Sequence, residues 1–178
     1  MKVLVVVDMQ NDFITGSLGT PEAQAIVPNV KKKIEESVAN GDFIVFTRDT
    51  HFENYLTTRE GEKLPVEHCV RGTHGWQIRS ELMPPATYKN VEVLDKFTFG
   101  APELPVLLIQ DERTRKCDEI ELVGLVSDIC VISNALILKA AFYESATVSV
   151  DSACTAGTTK ENYQSALNIM KSCQIEVI

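Results

Sequence analysis

Long hydrophobic runs are missing from this chain: nowhere in its 178 residues does an apolar stretch approach the roughly 20 that cross a bilayer. A membrane is thereby excluded as a partner. The N-terminal run Val3-Leu4-Val5-Val6-Val7 is cut by Asp8 and is too short for an export signal, so the expected location is the cytoplasm. Positive charge is also scarce, with 17 Lys and Arg against 25 Asp and Glu and a net charge of -8. An acidic surface repels phosphate backbones, which excludes nucleic acid and leaves a small neutral molecule open as a partner. Paired cysteines are absent too: five is an odd number, without a framework spacing, and fits reduced thiols. Histidine is rarer still, so any imidazole chemistry must draw on His51, His68 and His74 alone. No repeat, low-complexity tract or linker divides the chain, and residues 1–178 are expected to form one domain.

What is present alternates short apolar runs with longer helical patterns, the signature of a parallel sheet covered by helices. Val3 to Val7 predicts a strand buried on both faces. Ile26, Val30, Ile34 and Val38 recur every four residues and predict a helix that stops at Asn40-Gly41. Further strands are expected at Phe43 to Phe46, Val91 to Leu94, Ile120 to Val126, Thr147 to Val150 and Ile175 to Ile178. Val131, Ala135, Leu138 and Phe142 mark one more helix, and Tyr163, Ala166, Leu167 and Met170 another. The segment from His51 to Pro85 has no period but carries Gly, Pro, His and charge, which in a compact domain points to function.

Ligands of open parallel sheets bind beyond the carboxyl ends of the strands. Four such ends carry reactive residues: Asp8, Asp49, Lys96 and Cys130. Each alone has an ordinary structural explanation; four on one edge argue for a site. Ser127-Asp128 has the look of a helix N-cap, placing Cys130 in a first turn where partial positive charge favours the thiolate. A cysteine nucleophile needs a proton acceptor, which Asp8 supplies, while Lys96 keeps Asp8 ionised and steadies developing charge. Asp49 and His51 share a face if their strand continues, as metal ligands must. His68, in the irregular segment, is the third expected ligand of a divalent metal, zinc being the usual choice for such a set. Cys69 beside it could compete as a soft ligand, and His74 is expected to be a loop residue.

Together these residues resemble the isochorismatase-like cysteine hydrolases, and within them the nicotinamidase branch. The matching pieces are Asp8-Met9-Gln10-Asn11-Asp12-Phe13, Asp49-Thr50-His51, His68-Cys69-Val70-Arg71-Gly72-Thr73, Asp95-Lys96-Phe97 and Gly124-Leu125-Val126-Ser127-Asp128-Ile129-Cys130-Val131. The resemblance implies Asp8, Lys96 and Cys130 as a catalytic triad, and Asp49, His51 and His68 as ligands of a divalent metal such as Zn2+. It also implies a cis peptide at Leu125-Val126 and an oxyanion hole built from the backbone N–H groups of Val126 and Cys130. The implied fold is three-layer α/β/α, a six-stranded parallel sheet with helices on both faces, and relatives are commonly homo-oligomers. Hydrolysis of a small carboxamide, nicotinamide foremost, is the implied activity. Where the branch often has an aromatic shortly before the metal histidine, this chain has Leu64-Pro65-Val66-Glu67-His68, leaving Phe13 as the stacking partner for a ring. Some relatives add a carboxylate ligand, for which Glu60 and Glu62 are both candidates.

Two rivals follow. One is another hydrolase of the superfamily, acting on a ureido, maleamate-like or vinyl-ether substrate. The other is a non-catalytic nucleotide-binding domain of flavodoxin-like shape. Against the second, Asp8-Met9-Gln10-Asn11-Asp12 puts carboxylates where a phosphate loop would need glycines.

Overall fold

The computed structural model describes residues 1–178, and its centre is a strand buried on both faces. In β1 (Lys2–Val7), Val3 to Val7 are fully buried. Alternation splits them: Val3, Val5 and Val7 feed one core, while Leu4 and Val6 feed the other. Each such side chain contributes about 1.5–3 kcal/mol, which is why the run tolerates no polar residue before Asp8. The other strands are β2 (Phe43–Asp49), β3 (Val91–Lys96), β4 (Glu119–Leu125), β5 (Thr147–Ala156) and β6 (Glu176–Val177). They form one parallel sheet in the order β3-β2-β1-β4-β5-β6, with β1 and β4 at its middle.

Helices cover both faces, giving the expected three layers. The helix α1 (Asn11–Ile14) is a single turn after β1, and α2 (Pro21–Asn40) lays Ala23, Ile26, Val27, Val30 and Ile34 on the Leu4/Val6 face. Thr20 caps α2 by accepting from the Ala23 N–H at 3.0 Å, and Gly41 ends it with φ +75°. After β2 comes the short α3 (Arg59–Lys63). The opposite face is covered by α4 (Glu103–Gln110), α5 (Ile132–Ala141) and α6 (Lys160–Ser172) through Leu104, Leu108, Ala135, Leu138, Ala166, Leu167 and Met170.

Three local expectations change. First, β2 and β3 run through Asp49 and Lys96, which pair in register across the two strands rather than following them. Second, β5 continues to Ala156, with a bulge where its register against β4 jumps from Leu122–Val150 to Gly124–Thr155. Third, Ser127-Asp128 is not a helix cap. Residues Ser127–Val131 form a π-helical turn ahead of α5, and no side chain caps its start. Asp128 instead accepts from the Thr158 backbone N–H at 2.8 Å and the Thr158 hydroxyl at 2.6 Å, tying this turn to the entry of α6.

Candidate active site

The strand-end residues converge on one ammonium. Lys96 is 1% exposed, and its Nζ lies 2.7 Å from Asp8 Oδ2, 2.9 Å from Asp49 Oδ1 and 3.6 Å from Cys130 Sγ. It also donates to the Thr98 carbonyl at 3.2 Å. Burial alone would discharge it, but the Asp8 and Asp49 carboxylates outweigh that and hold its pKa well above the ordinary lysine value. Register explains the convergence: Lys96 and Asp49 are paired residues of β3 and β2, and Asp8 leaves β1 beside Thr47.

Asp8 is fully buried in left-handed backbone at φ +47°. Its Oδ1 accepts the Thr47 hydroxyl at 2.7 Å. Oδ2 forms an ion pair with Lys96 Nζ at 2.7 Å. Burial pushes the carboxyl pKa up, with Lys96 and Thr47 pulling against it. Asp8 is thus a stronger base than a free aspartate, one oxygen held by Thr47 and the other beside Lys96.

Cys130 arrives from β4 through a close approach. Gly124 has φ +114°, and a Cβ there would lie 2.1 Å from the Val7 carbonyl oxygen, so only glycine lets β4 draw this near to β1. The Leu125–Val126 peptide is cis, as the resemblance implied. The Val126 N–H has no backbone acceptor, and the π-helical turn then sets Cys130 at 5% exposure. Its carbonyl accepts from the Asn134 side chain at 2.8 Å, and the same side chain accepts from the Ala101 N–H at 2.9 Å, locking the turn to the loop after β3. Burial and the nearby Asp8 carboxylate push the thiol pKa well up. Desolvation at this depth works against the partial charge of a helix terminus, in keeping with the expected need for Asp8 to take the thiol proton. The geometry stores a thiol against a base.

Asp49 connects this group to a second one. His51 Nε2 lies 3.0 Å from Asp49 Oδ2, and His68 Nε2 lies 3.7 Å from the same oxygen. Glu60 Oε1 is 3.7 Å from both imidazole nitrogens. Ligand atoms of Asp49, His51 and His68 all lie within 4.8 Å of one another. His68 Nδ1 sits 2.8 Å from the Val66 carbonyl, which only accepts, so Nδ1 carries the proton and Nε2 presents a lone pair. The buried His51 Nε2 has no hydrogen-bond partner. Two imidazoles and carboxylate oxygens facing one point fit a divalent metal such as zinc. Burial opposes ionisation of Asp49, but His51 and Lys96 hold its pKa below the ordinary value.

The structure also sorts the open candidates. Glu60 faces the imidazoles and is partly buried, whereas Glu62 is exposed. Cys69 is buried with its thiol pKa pushed far up, chiefly by burial, and it is not part of the ligand group. His74 is an exposed loop residue, its Nε2 3.4 Å from the Asn11 amide. Phe13 stands beside the group, its ring centroid 5.6 Å from that of His68. Leu64 is 38% exposed and gives its carbonyl to the Tyr55 hydroxyl.

Three supporting residues had no signal of their own. Fully buried Tyr55 packs its ring 4.6 Å from His51 and 4.9 Å from His68. Gln10 accepts from the Asp49 N–H at 2.7 Å and donates to the Asp49 and Trp76 carbonyls at 2.8 and 2.9 Å. Thr47 orients Asp8. Gln10 and Tyr55 lie in segments that the sequence had singled out, whereas Thr47 does not.

Residues 2–178 match the family model of the isochorismatase domain. A nicotinamidase/pyrazinamidase of Mycobacterium tuberculosis is 28% identical, the match covering 100% of this chain and 98% of that protein. Among solved structures, a pyrazinamidase of Pyrococcus horikoshii in complex with zinc superposes with a TM-score of 0.84 at 28% identity, covering 99% of this chain and 98% of the other. An N-carbamoylsarcosine amidase from Thermoplasma acidophilum gives 0.80 at 28%, covering 99% and 94%.

Proposed function

We propose that this chain, which belongs to the isochorismatase family, hydrolyses nicotinamide to nicotinate and ammonia through a thioester on Cys130. The observation that carries the reading is Lys96 Nζ, in contact at once with Asp8, Asp49 and Cys130. It joins a nucleophile, its base and a group suited to a metal in one buried unit.

In this scheme Asp8 Oδ2 takes the Cys130 proton as sulfur attacks the carboxamide carbon. The Val126 and Cys130 N–H groups carry the oxyanion, and Lys96 balances the charge spread over Asp8 and Cys130. The C–N bond then breaks, the proton on Asp8 goes to the departing amine, and a thioester remains. Asp8 next deprotonates a water that attacks the thioester; nicotinate leaves and the thiol regains a proton. Zinc, held by Asp49, His51, His68 and Glu60, would supply a Lewis-acid contact for a pyridine nitrogen. Phe13 offers the apolar face for the ring.

A ureido substrate is the second reading, favoured by the absence of an aromatic ring at Leu64-Pro65-Val66 and by the likeness to the N-carbamoylsarcosine amidase. The test is ammonia release from nicotinamide, pyrazinamide, maleamate, ureidoacrylate, N-carbamoylsarcosine and aliphatic amides. Nicotinamide should lead by at least tenfold in kcat/KM. Turnover no faster than an aliphatic amide overturns the nicotinamidase reading, and a ureido compound in the lead replaces it with the second.

We further infer one functional domain over residues 1–178 that assembles as a homo-oligomer and works in the cytoplasm. The edge strand β3, with exposed Val93 and no partner strand on its outer side, supports association. Five unpaired cysteines support a reducing compartment. No helix is long and apolar enough to cross a membrane.

A further inference from the structure

Asp12 lies outside the catalytic and metal-facing groups, yet its carboxylate is packed into a space that two glycines keep open. A Cβ on Gly75 would lie 2.0–2.2 Å from the Asp12 carboxylate atoms, and one on Gly16 would lie 2.3 Å from Oδ1. Neither contact is possible for a side chain, so the carboxylate fits where it does only because both positions are glycine. Its Oδ2 accepts the Cys69 backbone N–H at 2.7 Å, next in sequence to His68. Cys69 holds φ +48°, a left-handed conformation that residues with side chains rarely adopt. The other end of the Cys69 peptide is tied as well: its carbonyl accepts from the His51 N–H at 2.9 Å. The His51 carbonyl in turn accepts from the Arg71 N–H at 2.9 Å. One carboxylate on α1 therefore fixes the backbone that carries His68 and, through it, the position of His51 relative to His68. The two imidazole centroids stand 4.7 Å apart.

We propose that Asp12 is a positioning residue for the metal ligands: its hydrogen bond to the Cys69 N–H holds His68 and His51 in a zinc-binding arrangement before the ion arrives. This rests on the reading that Asp49, His51 and His68 hold a metal. Outer-shell hydrogen bonds to ligands typically carry 10–100-fold in metal affinity. The required feature is an oxygen acceptor at this spot, not a negative charge, because the donor is a backbone amide. Asp12→Asn keeps such an oxygen at the same reach, and Asp12→Ala removes it.

The experiment measures the zinc Kd of the stripped protein by competition with a chromophoric chelator, beside the Tm of the metal-free form. Asp12→Ala should weaken zinc at least tenfold, Asp12→Asn should recover to within about threefold of wild type, and His68→Ala should lose zinc outright. A purely structural role would lower the metal-free Tm of Asp12→Ala while leaving its zinc Kd within twofold of wild type, and that result overturns the proposal. Asp12→Asn as weak as Asp12→Ala also overturns it, since charge rather than the hydrogen bond would then be what counts. If Asp12→Ala does not fold, Gly75→Ala probes the same contact without altering any charged group. Its Cβ must displace the carboxylate, so zinc should weaken tenfold or more; wild-type affinity in that variant refutes the role. His68→Ala binding zinc like wild type would instead bring down the metal reading and the Asp12 role with it. Zinc lost by His68→Ala but kept by Asp12→Ala removes only the latter.

Discussion

Lys96 donates to Asp49 at 2.9 Å, which makes one ammonium the shared wall between the nucleophile's base and the metal-facing imidazoles. Both residues are buried, so neither charge is free to turn to water if the other is lost.

Replacing Lys96 should consequently damage stability and chemistry together. Lys96→Met leaves Asp8 and Asp49 as neighbouring buried carboxylates, a loss of about 3–5 kcal/mol of folding free energy for breaking such a group. The same change should cut kcat/KM by at least about 10³, because Asp8 loses the charge that balances it during proton transfer. Lys96→Arg should not rescue it, as a planar guanidinium does not fit a point-charge position at 1% exposure. Denaturant melts alongside steady-state kinetics check this. A Lys96→Met protein that is stable and active would remove the lysine from the scheme.

Cys130→Ala should retain the fold and lose at least about three orders of magnitude in kcat, as nucleophile deletions do. A rapid acid quench of wild type during turnover should show the acyl adduct on the peptide carrying Cys130. Because burial and Asp8 push the thiol pKa up, alkylation by iodoacetamide should be slower at neutral pH than that of a helix-terminus thiolate. Fast alkylation at pH 7, or an adduct on Cys69 or Cys154, would contradict the assignment.

Away from the site, β4 carries the buried carboxylate Glu121, which receives Lys2 Nζ at 2.7 Å and Lys33 Nζ at 2.8 Å. Lys33 also reaches Asp151 at 2.8 Å. Glu121→Ala leaves two lysines at a boundary with one remaining carboxylate and should cost about 3 kcal/mol. Its kcat/KM at low temperature should match wild type, since no residue of this network touches Lys96. A stable variant with impaired turnover would mean that the sheet transmits more than packing.

Which of these features could be read from residues alone follows from how local their causes are. Asp8, Asp49, Lys96 and Cys130 were visible because apolar runs end at or just before them, and chain polarity in a parallel sheet brings all such ends to one edge. The helix α4 was not visible: Pro102 and Pro105 break the pattern, yet Pro105 lies in the first turn, where its missing N–H costs nothing. Asp128 had the composition of a cap, but Thr158, thirty residues on, claims its carboxylate. Glu60 and Glu62 were indistinguishable until α3 formed, with Thr58 capping it through the Gly61 N–H at 3.1 Å and turning Glu60 toward the imidazoles. Cys130's protonation depended on burial, a property of the whole fold. Local spacing locates reactive residues; tertiary packing decides their charge.

The hydrogen bond from the Thr47 hydroxyl to Asp8 Oδ1 permits a test by pH. Burial raises the Asp8 pKa, so its proton is bound more tightly in the folded than in the unfolded protein. As pH rises past the unfolded value near 4, folding stability contributed by this group declines, until the folded carboxyl has also ionised. Activity runs the other way, because the base must be ionised to take the thiol proton. The acid limb of kcat/KM should therefore lie above the ordinary aspartate range. Thr47 opposes the shift by stabilising the carboxylate, so Thr47→Val, close in shape and without the hydroxyl, should move that limb to still higher pH. The plateau rate above the limb should change far less than its midpoint. The limb reports the coupled Asp8–Lys96–Cys130 group rather than one carboxyl, but the direction is unambiguous because only the Asp8 carboxylate accepts from this hydroxyl. A pH–rate profile of wild type and variant, with stability monitored at each pH, makes the measurement. An unmoved or lowered limb in Thr47→Val would show that the proton controlling turnover sits elsewhere than on Asp8.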